Sequence, residues 1–130
     1  MIVIDASALA EALVMDGAKA QWATAQLEAA DRIAAPEHLR VETFSVVRGL
    51  ALGGKVGLDR ARDAIDVLGL MEFEFMPMTA LASRMWELRT NISAYDAVYV
   101  ATAEILGCPL VTGDLKLVRA TGPTCEFRHP

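Results

Sequence analysis

The sequence predicts an α/β fold: a three-layer α/β/α domain with a small central parallel sheet. Three observations predict it. Short apolar runs alternate with longer helical patterns along the chain, and strands alternating with helices form parallel sheets covered on both faces. The two clearest runs, residues 1–5 and 109–112, are continuously apolar rather than alternating, as strands buried on both faces are. Helical patterns are abundant and strand patterns scarce, so the sheet must be small.

Taken in order, MIVID over residues 1–5 is the first strand. From Ser7 the pattern turns helical, with Ala and Leu closely spaced as far as Met15. Asp16-Gly17 breaks it, and Asp16 is placed to cap a second helix over about 18–30. Pro36 suits the first turn of a third helix running to about Leu52, which Gly53, Gly54 and Gly57 end. Residues 59–68 read as a fourth helix. Residues 72–76 alternate charged and apolar side chains, the pattern of an edge strand. Thr79 is placed to cap a helix to about Arg89, and Ser93 to cap one over 94–106, closed by Gly107. Residues 109–112 form the second buried strand and 125–128 a last short one. At 130 residues, with no repeat, linker or low-complexity segment, residues 1–130 are expected to form one domain large enough for a core.

Composition excludes several classes. Hydrophobic residues make up 54% of the chain, which excludes disorder. The most apolar region, 94–112, is interrupted by Asp96 and Glu104, so no membrane span is expected. Asp5 and Glu11 interrupt the N-terminal apolar stretch and no basic segment precedes it, so a cytoplasmic chain is expected. Cys108 and Cys125 fit no zinc spacing and read as reduced thiols in or near the core. His38 and His129 lack a His or Cys partner at metal spacing and read as surface residues. The net charge of −5 taken alone argues against a nucleic-acid binder. Divalent ions held by acids would reverse that sign locally.

Four carboxylates stand out. Asp5 ends one buried strand and Asp114 follows another, and sites in open parallel sheets form at the carboxyl ends of strands. Asp96 opens the most apolar helix. Glu42 lies three residues after Leu39 and four before Val46, on or beside an apolar stripe. Each acid has a structural alternative. Asp5 and Asp114 suit turns, Ser93 and Asp96 have the spacing of a capping box, and Glu42 can pair with Arg40 or Arg48. Gathered together, however, the acids repel: two unit charges about 4 Å apart cost roughly 4 kcal/mol at an effective dielectric near 20. Such a cluster raises its own pKa values or binds a cation, and oxygen-only ligands favour magnesium or manganese.

IVIDASAL at the start, the mid-helix Glu of PEHLRVETFSVVR, the segment NISAYDAVYVATAEILGCPLVTGDLKL and the total length together resemble the PIN-domain ribonucleases, and within them the VapC toxins of bacterial toxin–antitoxin pairs. The resemblance spans nearly the whole chain and implies a PIN-like fold. It implies Asp5, Glu42, Asp96 and Asp114 as catalytic acids that ligate Mg2+ or Mn2+, with Ser7 and Thr112 as supporting hydroxyls. Some members carry a further acid two or three positions after the last; here Lys116 and Leu117 stand there, which leaves a second ion fewer ligands. The implied reaction is metal-assisted hydrolysis of single-stranded or looped RNA, giving a 5′ phosphate and a 3′ hydroxyl.

The resemblance also implies partners: a VapB-like antitoxin, an RNA substrate and a second copy of the chain, with DNA reached only through the antitoxin and no membrane. Apolar residues of the third and fourth helices, among them Phe44, Leu50, Leu58 and Ile65, either form core or line a groove for an amphipathic helix. Arg84, Arg89 and Lys116 are candidates for holding RNA, with Arg48, Lys55 and Arg119 behind them; surface ion pairing is the competing role. Trp86 is expected in core or dimer contacts. Three alternatives stay open: an RNA-processing nuclease of the same fold, a non-catalytic module whose acids bind metal, and a phosphotransfer domain, the last opposed by Ser7 where a second carboxylate is needed.

Overall fold

All strand pairings in the computed structural model, which describes residues 1–130, are parallel. The chain runs β1 (Ile2–Ile4), α1 (Ala6–Val14), α2 (Ala18–Glu28), β2 (Ile33–Pro36), α3 (Leu39–Leu52), α4 (Leu58–Leu70), β3 (Glu74–Met76), α5 (Met78–Glu87), α6 (Ala94–Leu106), β4 (Leu110–Val111), α7 (Leu115–Val118) and β5 (Phe127–Arg128). Spatial strand order is β3-β2-β1-β4-β5. The chain steps outward from β1 to β3, then returns across the sheet to β4. Right-handed crossovers in opposite directions place helices on opposite faces: α1 to α4 on one, α5 to α7 on the other. The expected three layers follow from this reversal.

Burial explains the strands. Ile2, Val3 and Ile4 of β1 are at most 2% exposed, and Leu110 and Val111 of β4 are fully covered. Helix α6 packs on β1, β2 and β4, and its run from Ala97 to Ala103 is buried throughout. A second, smaller core joins α1, α3 and α4 through Ala10, Val14, Val47, Val56, Ala61 and Ala64. Small side chains there allow close helix approach.

Three local expectations are corrected. Residues 33–36 are a strand, not a helix start: Ala34 and Ala35 are buried between β1 and β3, and Pro36 ends the strand, so α3 begins at Leu39. Asp16 does not cap α2. Gly17, at φ 97°, takes the cap position, which only glycine adopts freely. Asp16 is drawn instead to Arg60 of α4, whose Nη1 donates to its Oδ2 at 2.7 Å. Thr79 caps nothing either; α5 starts one residue earlier, behind Pro77. The other end signals hold. Ser93 Oγ accepts from Asp96 N at 3.1 Å, and Gly107 closes α6 in the left-handed region at φ 62°. Cys108 and Cys125 are free thiols, and burial pushes Cys125 up to about 11. No helix is long and apolar enough to cross a membrane.

Arg84 locks α5 to the rest of the fold. Its Nε donates to Glu104 Oε2 at 2.6 Å, Nη1 to Glu87 Oε2 at 2.9 Å and Nη2 to the Gly122 carbonyl at 2.9 Å. Glu104 also accepts from Thr124 N at 2.7 Å. Burial opposes the Glu104 charge, but the bonds from Arg84 and Thr124 outweigh it and hold the carboxyl below its ordinary 4.5. Arg84 is therefore committed internally, which corrects its candidacy for RNA. Glu104→Gln should lower stability by about 1–3 kcal/mol in urea unfolding at pH 7. A carboxyl depressed by folding stabilises above its unfolded pKa and loses that contribution as pH falls through the folded one. The gap between wild type and variant should thus narrow steadily below about pH 4.5.

Candidate active site at the carboxyl edge of the sheet

β1 and β4 lie side by side, and the chain reverses its direction of travel across the sheet there. Such switch points open a crevice beyond the strand ends. Asp5 leaves β1 and Thr112 leaves β4 into that crevice. Ile4 pairs with Val111, so the two residues emerge level.

Asp5 is 8% exposed and caps α1. Its Oδ1 accepts from Ala8 N at 2.8 Å and from Ser7 Oγ at 2.9 Å. The Thr112 hydroxyl donates to its Oδ2 across the strand gap. Burial raises the Asp5 pKa, the three hydrogen bonds oppose the rise, and the nearby Glu42 charge adds to it. Thr112 Oγ1 also accepts from Asp114 N at 3.0 Å, so one hydroxyl links two acids. Asp114 caps α7, with Oδ1 accepting from Lys116 N at 2.8 Å. Asp96 sits in the first turn of α6, where burial and then the charge of Asp114 raise its pKa against the Ser93 hydroxyl. Glu42 stands in the first turn of α3, its Oε2 accepting from Tyr99 OH at 2.6 Å.

The acids are thus brought to one edge as two interacting pairs, Asp5 with Glu42 and Asp96 with Asp114. Burial of Tyr99, its hydrogen bond to Glu42 and the charges of Glu42 and Asp5, in that order, raise its pKa. No three Asp, Glu, His or Cys side chains stand close enough together to hold an ion by themselves.

Two site residues were not read from the sequence. Tyr99 follows Asp96 by three on α6, and a buried tyrosine needs a partner for its hydroxyl; that partner, Glu42, is far away in sequence. His38 corrects the expectation of a plain surface histidine. Its ring lies edge-on to Tyr95 and Tyr99, with centroids 6.1 and 5.6 Å away. Its Nε2 is 3.2 Å from Glu42 Oε2, but off the line of a good hydrogen bond. Among the basic candidates, the Arg89 guanidinium covers the Trp86 ring at 4.6 Å on the surface. Trp86 is 69% exposed, so it is not core. The Lys116 side chain is exposed, and Arg48 lies in a groove between α3 and α4.

A family model described as the PIN domain matches residues 2–123. This chain belongs to the PIN-domain family. Within it the chain is similar to VapC ribonucleases. It is 43% identical over 117 residues to Ribonuclease VapC9 of Mycobacterium tuberculosis, covering 90% of this chain and 88% of that one. It is 36% identical over 128 residues to Ribonuclease VapC1 of the same organism, covering 97% and 95%. Among solved structures, VapBC2 from Rickettsia felis bound to a DNA fragment from its promoter superposes with a TM-score of 0.69 at 16% identity, covering 100% of this chain and 99% of that one. At that identity the match shows the shared fold.

In this PIN domain Thr112 is the tie on which two acids depend. Thr112→Val should cost about 1–3 kcal/mol in thermal or urea unfolding, since it leaves the buried Asp5 oxygen and the Asp114 N–H without their partner. Ser7→Ala, at an exposed hydroxyl with one bond, should cost less than half as much.

Proposed function

We propose that this chain is a metal-dependent endoribonuclease and the toxin of a toxin–antitoxin pair. One observation carries the reading: a buried carboxylate, Asp5, is fastened between two adjacent strand ends and feels the charge of Glu42, while a second interacting pair, Asp96 and Asp114, stands at the same edge of the sheet. Packing alone gives no reason to gather four acids at one edge. Similarity to relatives named VapC ribonucleases supports the ribonuclease part of the reading.

The donor set suits a hard divalent ion. It is all carboxylate oxygen, with hydroxyls beside it and no cysteine. Mg2+ keeps several waters and is commonly bound by one or two carboxylates plus substrate phosphate. Two interacting acid pairs without a closed cage match that demand better than a structural metal site would. In this reading Asp5, Glu42, Asp96 and Asp114 hold Mg2+ or Mn2+ directly or through water. Such an ion supplies a lowered water pKa and neutralisation of phosphate charge. The chain's own residues do the positioning. Ser7 and Thr112 fix the Asp5 carboxylate, Tyr99 fixes Glu42, the α7 N-terminus orients Asp114, and Asp96 sits in the first turn of α6. No Ser–His or Cys–His pair is needed as nucleophile.

The test uses purified protein and a mixed RNA substrate. Asp96→Asn should reduce cleavage by on the order of 100-fold while its circular dichroism and melting temperature stay near wild type. EDTA should abolish cleavage and Mn2+ restore it. Wild-type rates in Asp96→Asn would refute the assignment.

The toxin role needs an inhibitor. A groove of about 310 Å³ between α3 and α4 is lined by Phe44, Val47, Ala61 and Ile65, with Arg48 and Asp66 at its rim. Val41, Leu52, Leu58 and Leu70 are exposed on the same two helices. An amphipathic helix of a VapB-like antitoxin fits this surface. DNA is then reached through that partner, and a second copy of the chain completes the assembly. Phe44→Asp, on a half-exposed side chain, should abolish co-purification with a co-expressed VapB-like antitoxin and leave RNA cleavage within about twofold, because surface changes away from the site are mild.

A further inference from the structure

We propose that the cleft on the α1–α2 side of the acids is a base-reading subsite for single-stranded RNA. Trp22 stacks one nucleobase, Lys19 meets the adjoining phosphate and Glu11 accepts from an amino group on the base edge. This rests on the ribonuclease reading and adds a specificity site to it.

The cleft measures about 340 Å³ and is lined by Ser7, Glu11, Lys19, Trp22 and Asp114, among others. Two of these belong to the acidic site: Ser7 holds Asp5, and Asp114 is itself one of the four acids. A strand with a phosphate at the acids has this cleft as its adjoining space. Trp22 is half-buried and packs against the main core while it lines the cleft. Its ring is thus held in place before any ligand arrives. Lys19 and Trp22 are three apart on α2, on one face of that helix. Lys19 is a cation in a chain of net charge −5. Neither the Lys19 ammonium nor the Glu11 carboxylate is taken up by an ion pair or side-chain hydrogen bond within the fold. Both line the cleft, free to meet a ligand. An aromatic plane, a free cation beside it and a free acceptor opposite are the groups that bind an unstacked nucleotide. A carboxylate acceptor favours bases with an exocyclic amino group, such as cytosine, over uracil.

The competing surface is the exposed Trp86–Arg89 stack on α5. The chain has two tryptophans, so fluorescence separates the two surfaces. In an Asp96→Asn background with Mg2+ present, Trp86→Phe leaves Trp22 as the only tryptophan and Trp22→Phe leaves Trp86. Short oligocytidylate should quench the first protein and not the second. Lys19→Ala should weaken binding and reduce the salt slope by about one. Glu11→Gln should remove the preference for oligocytidylate over oligouridylate. In the active enzyme Trp22→Leu should raise KM by about 5- to 100-fold, the loss of one base–aromatic stack, with kcat changed far less. Quenching confined to Trp86 would overturn the subsite, as would binding that leaves Trp22 fluorescence unchanged. Either result, with wild type cleaving RNA and Asp96→Asn strongly impaired, leaves the nuclease reading standing. A wild type that cleaves no RNA refutes that reading instead.

Discussion

The site depends on one interaction, the bond between the Thr112 hydroxyl and the Asp5 carboxylate across the gap between β4 and β1. An unpaired carboxylate at this depth would take up a proton rather than remain charged. Three donors offset part of that burial cost, and they come from two places. Ala8 N and Ser7 are local to the start of α1; Thr112 is more than a hundred residues away in sequence. The distant donor reaches only because β1 and β4 are in parallel register, Ile4 beside Val111. A shift of that register by one residue would turn Thr112 to the other face and leave the Asp5 oxygen bare. Sheet pairing and site chemistry are therefore one constraint.

Much of the fold was legible because its signals are local. The branched run of β1, the Ser93 cap and the Gly107 stop on α6 act within a few residues, and each lies where the pattern places it. Strand β2 was not legible. Its buried residues are Ala34, Ala35 and Pro36; the alanines carry no β-branched signature, and Pro36 imitates a helix start. The small side chains are there because α6 crosses close above β2, a demand set by tertiary packing. Asp16 and Thr79 show the opposite failure: a residue suited to capping where no cap forms. For Asp16 a cation 44 residues away competes for the same oxygens.

The site divides along the same line. The four acids were visible because acids at the ends of apolar strands and inside apolar helices are costly. Their partners were not. Tyr99 reads as another core aromatic until Glu42 is placed against it. Arg84 beside Trp86 looks like an RNA contact until Glu104 is found occupying its guanidinium. A charged residue's free valence is a property of the folded neighbourhood, and sequence spacing does not report it.

The sequence posed capping and catalysis as rival explanations for these acids, and the capped geometry leaves room for both. Asp5 and Asp114 are N-caps of α1 and α7, and Asp96 and Glu42 sit in the first turns of α6 and α3. Four helices thus point their N-termini at one edge of the sheet. Each positive helix end offsets about 0.3–1 kcal/mol of the cost of a nearby anion, and backbone N–H groups fix two of the carboxylates without consuming a cation. Capping also leaves acceptor capacity over. Asp114 uses only Oδ1 for its cap, and a carboxylate oxygen offers two lone-pair sites, so Asp5 Oδ2 retains one beyond its bond from Thr112. Had lysines or arginines neutralised these acids, the remaining lone pairs would be spent. Helix ends hold the charges in place and leave acceptor sites open, which suits the divalent ion of the proposed reaction.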